Sequence, residues 1–201
     1  MPWLRRIAVI ICFGFGLSGC STLNTDNVPL YVGVSAPEHY EMRVLHMHLE
    51  KSGERSWWLP VGTVSCCWIG PFGPRRVGGG ELDPFPNLIA LHWFSLAEQK
   101  FYSTLIRVPE GLQEKMRAPV EHSYPDGTTG LRPRSSLVLG LAPGGEVVVW
   151  MMSQRTNAVE VMRLRAVEVE GDPEDFKSRT SQYLEKHGEY LKAHGVPLSG
   201  W

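Results

Sequence analysis

The chain has no unbroken apolar run long enough to cross a bilayer as a helix. Its longest candidate, Ile7 to Leu17, is eleven residues and contains Gly14 and Gly16, against about 20 for a spanning segment. Charge is nearly balanced, at −1 with 20 basic and 21 acidic residues, so no basic excess suggests nucleic acid and no acidic tail is present. Cysteine is scarce, four in 201 residues, which excludes a disulfide-built scaffold. Catalytic signatures are missing too. There is no Gly-x-Ser-x-Gly elbow, His-Glu-x-x-His helix or Ser-x-x-Lys pattern. Gly70 to Gly80 is glycine-rich but lacks the Lys-Ser/Thr ending and the helix of a phosphate loop. It reads as a surface loop whose Phe72, Arg75, Arg76 and the following Phe85 suit a partner contact.

What is present begins at the amino terminus. Arg5 and Arg6 precede the short apolar run, and small residues follow it, the order of an export signal. Leu17-Ser18-Gly19-Cys20 resembles the bacterial lipobox, which implies cleavage between Gly19 and Cys20 and a diacylglyceryl group on the Cys20 sulfur. Two or three acyl chains hold a protein durably on a bilayer where one does not. Ser21 rather than Asp follows the cysteine, which points to the outer membrane, facing the periplasm. The expected organisation is a leader over 1–19, a lipidated cysteine and polar tether over 20–30, and one β-rich domain over 31–201. Without the leader, 18 basic residues remain against 21 acidic, a charge of −3. Of the cysteines, Cys12 leaves with the leader and Cys20 is acylated. Cys66 and Cys67 remain as neighbours that point to opposite faces of a strand, a pattern favouring separate thiols over a vicinal disulfide.

Abundant glycine and proline, 21 and 15, suit many short strands joined by turns. Glu41–Glu50 alternates, with a break in phase at Val44-Leu45 that suggests a bulge. Trp57–Trp68 reads as a strand pushed to an edge by Pro60 and Gly62. Leu88–Phe94 reads as a buried central strand pairing with Ala97–Val108. A second hairpin turns at Pro143-Gly144-Gly145, and Asn157–Gly171 reads as one long strand. Asp172, Pro173 and Glu174 open a helix, with Phe176, Thr180, Tyr183, Leu184, His187 and Leu191 on one face and Gly195 at its end. The expectation is a mainly β (α+β) fold. It comprises an antiparallel sheet or sandwich of about seven to nine strands with one carboxy-terminal helix packed on it.

Candidate chemistry is thin. His46 and His48 share a strand face, but a third metal ligand would have to be His39, His92 or His122, and no spacing selects one. They read as the polar face of a half-exposed strand, and His92 as a hydrogen-bonded core histidine. Glu98, Lys100, Phe101 and Tyr102 concentrate polar and aromatic groups and read as hairpin-edge chemistry rather than a site. No cofactor, metal site or catalytic residue is assigned.

Leu88–Leu112 and Leu137–Met151 together resemble the lipoproteins grouped as domain of unknown function 2931. Trp93, Ser95, Glu98, Lys100, Phe101 and Tyr102 match one block of that pattern; Ala142, Pro143, Gly144, Gly145 and Trp150 match the other. The resemblance implies no activity. For some members it implies periplasmic immunity proteins that neutralise secreted lipase toxins. The expectation is therefore a non-enzymatic, membrane-anchored binding lipoprotein whose partner is a secreted toxin enzyme. Two alternatives stay open: an envelope structural or assembly accessory, and an enzyme of unrecognised type using Glu98, His92 or His122.

Overall fold

The computed structural model describes residues 28–65, 68 and 79–201. The leader, Cys20, the first part of the tether, the Cys66-Cys67 pair and the Phe72, Arg75 and Arg76 part of the glycine-rich loop lie outside the described residues.

The described residues form thirteen strands: β1 Tyr31–Ser35, β2 Met42–Lys51, β3 Arg55–Trp58, β4 Gly62–Val64, β5 Gly79–Glu81, β6 Leu88–Ser95, β7 Lys100–Arg107, β8 Val120–Ser123, β9 Thr129–Arg132, β10 Ser136–Ala142, β11 Glu146–Met152, β12 Val159–Arg165 and β13 Val167–Val169. A short helix α1, Leu112–Arg117, precedes β8, and α2, Lys177–His194, follows β13. The first sheet runs β12-β11-β10-β1-β5 and the second β13-β7-β6-β2-β3, with β4 also on β2. β8 and β9 form a separate hairpin.

The two sheets face each other over one core. Alternation sends Val32, Val34, Leu137, Leu139, Leu141, Val147 and Val149 inward from the first sheet. Met42, Met47, Leu49, Ile89, Leu91, Trp93, Tyr102 and Ile106 meet them from the second. The outer faces differ. On the second sheet Phe94, Leu96 and Phe101 pack with Tyr183, Phe176 and Leu191 of the carboxy-terminal helical segment. On the first, Val138, Val148, Trp150 and Met152 form a further buried cluster with Trp68 and Ala158.

The mainly β sandwich with its carboxy-terminal helix is as the alternation suggested, and several details differ. The strand total exceeds seven to nine because β4, β5 and β13 have three residues each and the separate β8–β9 hairpin has strands of four, too few to show a period. The sheets are not wholly antiparallel, since β1 pairs β10 in parallel. Trp57–Trp68 is not one strand: β3 and β4 pair successive parts of β2, split at Leu59-Pro60-Val61. Asn157–Gly171 is also two strands. β12 pairs β11 in the first sheet and β13 pairs β7 in the second. The chain crosses between sheets at Ala166, whose amide donates to the Gly145 carbonyl at 2.8 Å. Polar–apolar alternation slips by one at Ala166-Val167, but a slip of phase reads equally as a bulge, so it does not by itself announce a change of sheet.

The bulge on β2 falls where the phase breaks, between Val44 and His46. It lets Leu45 reach the helix-side cluster while His46 stays exposed. The amino end of the helix is also as read: the Asp172 carboxylate accepts from the Glu174 amide at 3.0 Å, and a 3₁₀ turn, Pro173–Phe176, leads into α2. Leu184 is the exception on the helix face, 41 % exposed. Phe85, expected at a partner-facing loop, is buried in the core instead.

Candidate functional site

The two sequence blocks meet at one end of the sandwich. Leu96 to Gln99 form the tight turn between β6 and β7, with the Gln99 amide on the Ser95 carbonyl at 2.8 Å. That turn aims the Glu98 side chain at the other block. Glu98 Oε1 accepts from the Tyr102 hydroxyl at 2.7 Å and from the Gly144 amide at 3.0 Å. Its second oxygen is buried without a hydrogen-bond partner. Burial, then the bond to Glu98, pushes the Tyr102 hydroxyl well above the usual tyrosine range. Its ring lies 5.6 Å from Trp93, stacked.

Both glycines of the turn are required by geometry. Each has positive φ, 75° at Gly144 and 73° at Gly145. A Cβ on Gly144 would stand 2.2 Å from the Leu198 carbonyl oxygen, and one on Gly145 2.8 Å from the Tyr102 ring. Glu98, Tyr102, Gly144 and Gly145 therefore form a clasp joining the two sheets and seating the segment after α2.

The other matched residues point elsewhere. Ser95 and Trp93 are buried, with the Ser95 hydroxyl and Trp93 Nε1 unpartnered. Lys100 pairs with Glu168 at 2.7 Å on the surface. Phe101 packs on Phe94 and Phe176. Trp150 lies on the outer face of the first sheet, edge-on to Trp68 at 5.2 Å. Pro143 and Ala142 are buried beside the turn.

A protein-family model described as "Protein of unknown function (DUF2931)" matches residues 21–199. The chain belongs to the DUF2931 family. No curated protein and no solved structure matches it.

In this DUF2931 chain Glu98, His92 and His122, the alternatives named for an enzyme, have different surroundings. Glu98 is committed to the clasp. His122 lies on the β8–β9 hairpin, 3.3 Å from the Ser153 hydroxyl. His92 is on the outer face of the second sheet and is not the hydrogen-bonded core histidine expected: its Nε2 has no partner, and its ring stacks with His46 at 5.8 Å. Burial first, and the neighbouring His46 second, lower its pKa. His48 bonds the Ser56 hydroxyl at 2.5 Å. Among the described residues no three His, Cys, Asp or Glu side chains converge as metal ligands.

Two features escaped the sequence reading. The first is the anchorage of α2. His187 Nε2 lies 3.2 Å from Glu41 and its Nδ1 lies 3.2 Å from His39 Nδ1. Two facing ring nitrogens hold one hydrogen between them. With the His187 Nε2–H on the carboxylate, the His39 Nδ1–H donates to His187. The Tyr183 hydroxyl donates to the His39 carbonyl at 2.6 Å.

The second is an open sheet face. Helix α2 covers the row containing Phe94, Phe101 and Val169, but not the next two. Register places Trp58, His48, Ala90 and Leu105 in one row, and His46, His92, Ser103 and Val167 in the row beside it. Trp58 is 67 % exposed, Leu105 54 % and Val167 69 %. At about 4.8 Å per strand the Trp58–Leu105 row spans about 14 Å. No signal in the sequence could show which half of the face the helix would leave bare.

Proposed function

We propose that the chain is a non-enzymatic lipoprotein of the bacterial envelope, held on the periplasmic side of the outer membrane through Cys20, that binds a protein partner. The observation carrying this reading is the open part of the second sheet. Three large apolar side chains stand exposed across its strands among histidines. A tryptophan at the edge of such a surface is the residue type most often found as an interface anchor. The clasp supports the same reading. The most concentrated polar group of the chain, Glu98 with Tyr102, is spent on joining the sheets, and its carboxylate faces a backbone amide rather than a cleft.

The partner proposed is the secreted lipase toxin that the family resemblance suggests. A tethered binder of this kind intercepts the enzyme at the membrane it attacks. The test is protection of cells that produce such a lipase in the periplasm. Wild-type chain is expected to protect them. Cys20→Ser and Leu105→Asp are each expected to lose protection at equal protein levels, with no substrate turned over by the chain itself. Equal sensitivity of cells with and without the wild-type chain contradicts the reading.

A further inference from the structure

The covered end of the same sheet face holds two arginines with no carboxylate partner among the described residues. Arg43 on β2 stands opposite Phe94 and Thr63. Its guanidinium lies over Gly62, with Nη1 3.3 Å from where a Cβ on that glycine would be. Its Nε is buried and has no hydrogen-bond partner. Arg179, in the first turn of α2, comes from above and donates to the Thr63 hydroxyl at 3.1 Å. Among the described residues no carboxylate oxygen lies within 4.0 Å of either guanidinium. Both line one cleft of about 290 Å³, together with Asp175, Phe176, Ser178 and Gln182.

Two like charges sharing a cleft repel, and a buried guanidinium N–H without an acceptor carries an uncompensated desolvation cost. Lys100, Arg163, Lys177, Lys186 and Lys192 each have a carboxylate within 4.0 Å; what sets Arg43 apart is the burial of its unpartnered Nε rather than the lack of an ion pair alone. Arg43 is held under the helix, where Asp175 on the rim stays beyond pairing distance.

We propose that this cleft is a binding site for a phosphate group, with Arg43 as its floor and Arg179 as its wall. A phosphate oxyanion accepts from both forks and offsets both charges. Its tetrahedral oxygens match donors arriving from floor and wall, whereas a planar carboxylate presents its acceptors in one plane. The Ser178 hydroxyl and the Gln182 amide stand on the same wall as neutral donors. The phosphate of a lipid headgroup and a free phosphate ion share this chemistry.

The test uses the full chain in detergent, with inorganic phosphate and glycerol 3-phosphate as probes and chloride at matched ionic strength as reference. Binding is read by calorimetric titration and by the rise in melting temperature. Phosphate is expected to bind and stabilise where chloride does not. Arg179→Gln, at an exposed helix position, is expected to weaken binding at least tenfold, and Arg43→Gln to abolish it. Arg107→Gln, at the far end of the same sheet, is expected to leave it unchanged. Tighter binding of glycerol 3-phosphate than of inorganic phosphate identifies an esterified phosphate as the ligand; the reverse order identifies the free ion. If phosphate has no more effect than chloride, or if a folded Arg179→Gln protein binds it as wild type does, the proposal is overturned.

Discussion

Replacing Glu98 by Ala removes the acceptor shared by the Tyr102 hydroxyl and the Gly144 amide. Each bond to a charged acceptor contributes about 1.5–3 kcal/mol net. The gain is offset in part because the second carboxylate oxygen is buried with no partner, a cost that the substitution also removes. We expect a net loss of about 2–3 kcal/mol. For a chain of this size about 1 kcal/mol moves the melting temperature by 2–4 °C, so the drop should be about 5–10 °C. Glu98→Gln keeps one acceptor oxygen at the same reach and should cost less than half as much. Calorimetric melts of Glu98→Ala, Tyr102→Phe and the double variant would close a cycle with a coupling of about 1 kcal/mol. A loss under about 0.5 kcal/mol for Glu98→Ala, or strict additivity with Tyr102→Phe, would refute the clasp.

Other outcomes follow from the same geometry. Gly144→Ala puts a Cβ 2.2 Å from the Leu198 carbonyl at a φ of 75°; hydrogen exchange across residues 195–201 should accelerate while the β6 and β10 amides stay protected. His92 has a lowered pKa in the folded chain, so the unfolded state takes up its proton first. Its contribution to stability is present above about pH 6.5 and is lost as pH falls below it. Denaturant melts should show that acid slope flattened by up to about one proton in His92→Gln, and an unchanged slope would discount the burial of this ring. Labelled palmitate should enter the wild-type chain and be absent from Cys20→Ser; incorporation that survives the substitution refutes Cys20 as the attachment site.

The outline of the fold could be read from residues because its signals are local. Alternation marked β2, an apolar run marked β6 with β7 following as its hairpin partner, the Pro143-Gly144-Gly145 turn marked β10 and β11, the Val44-Leu45 slip marked the bulge, and Asp172-Pro173 marked the helix start. What could not be read depends on pairing between distant segments. The slip of phase at Ala166-Val167 does not distinguish a bulge from a change of sheet, and nothing near Tyr31 says that β1 runs parallel to β10. The same holds for the site. Glu98 and Gly144 are 46 residues apart, so their bond could be guessed only as two blocks of one family pattern. Arg43 and Arg179 are 136 residues apart in the sequence and come together only because α2 is laid across β2. The bare rows from Trp58 to Leu105 and from His46 to Val167 exist because α2 crosses only part of the sheet. That placement is set by the packing of Tyr183 and Leu191 of α2, with Phe176, on Phe94 and Phe101 of the sheet, a contact between segments distant in the sequence.

The most direct test of the proposed role is a binding titration of purified full-length chain with a secreted lipase toxin, the class of partner proposed. The account predicts a one-to-one complex that inhibits the lipase, with affinity reduced about 30-fold or more by Leu105→Asp or Trp58→Ala, the scale of an interface hot spot. No complex with the wild-type chain, or one that neither substitution weakens, would contradict it.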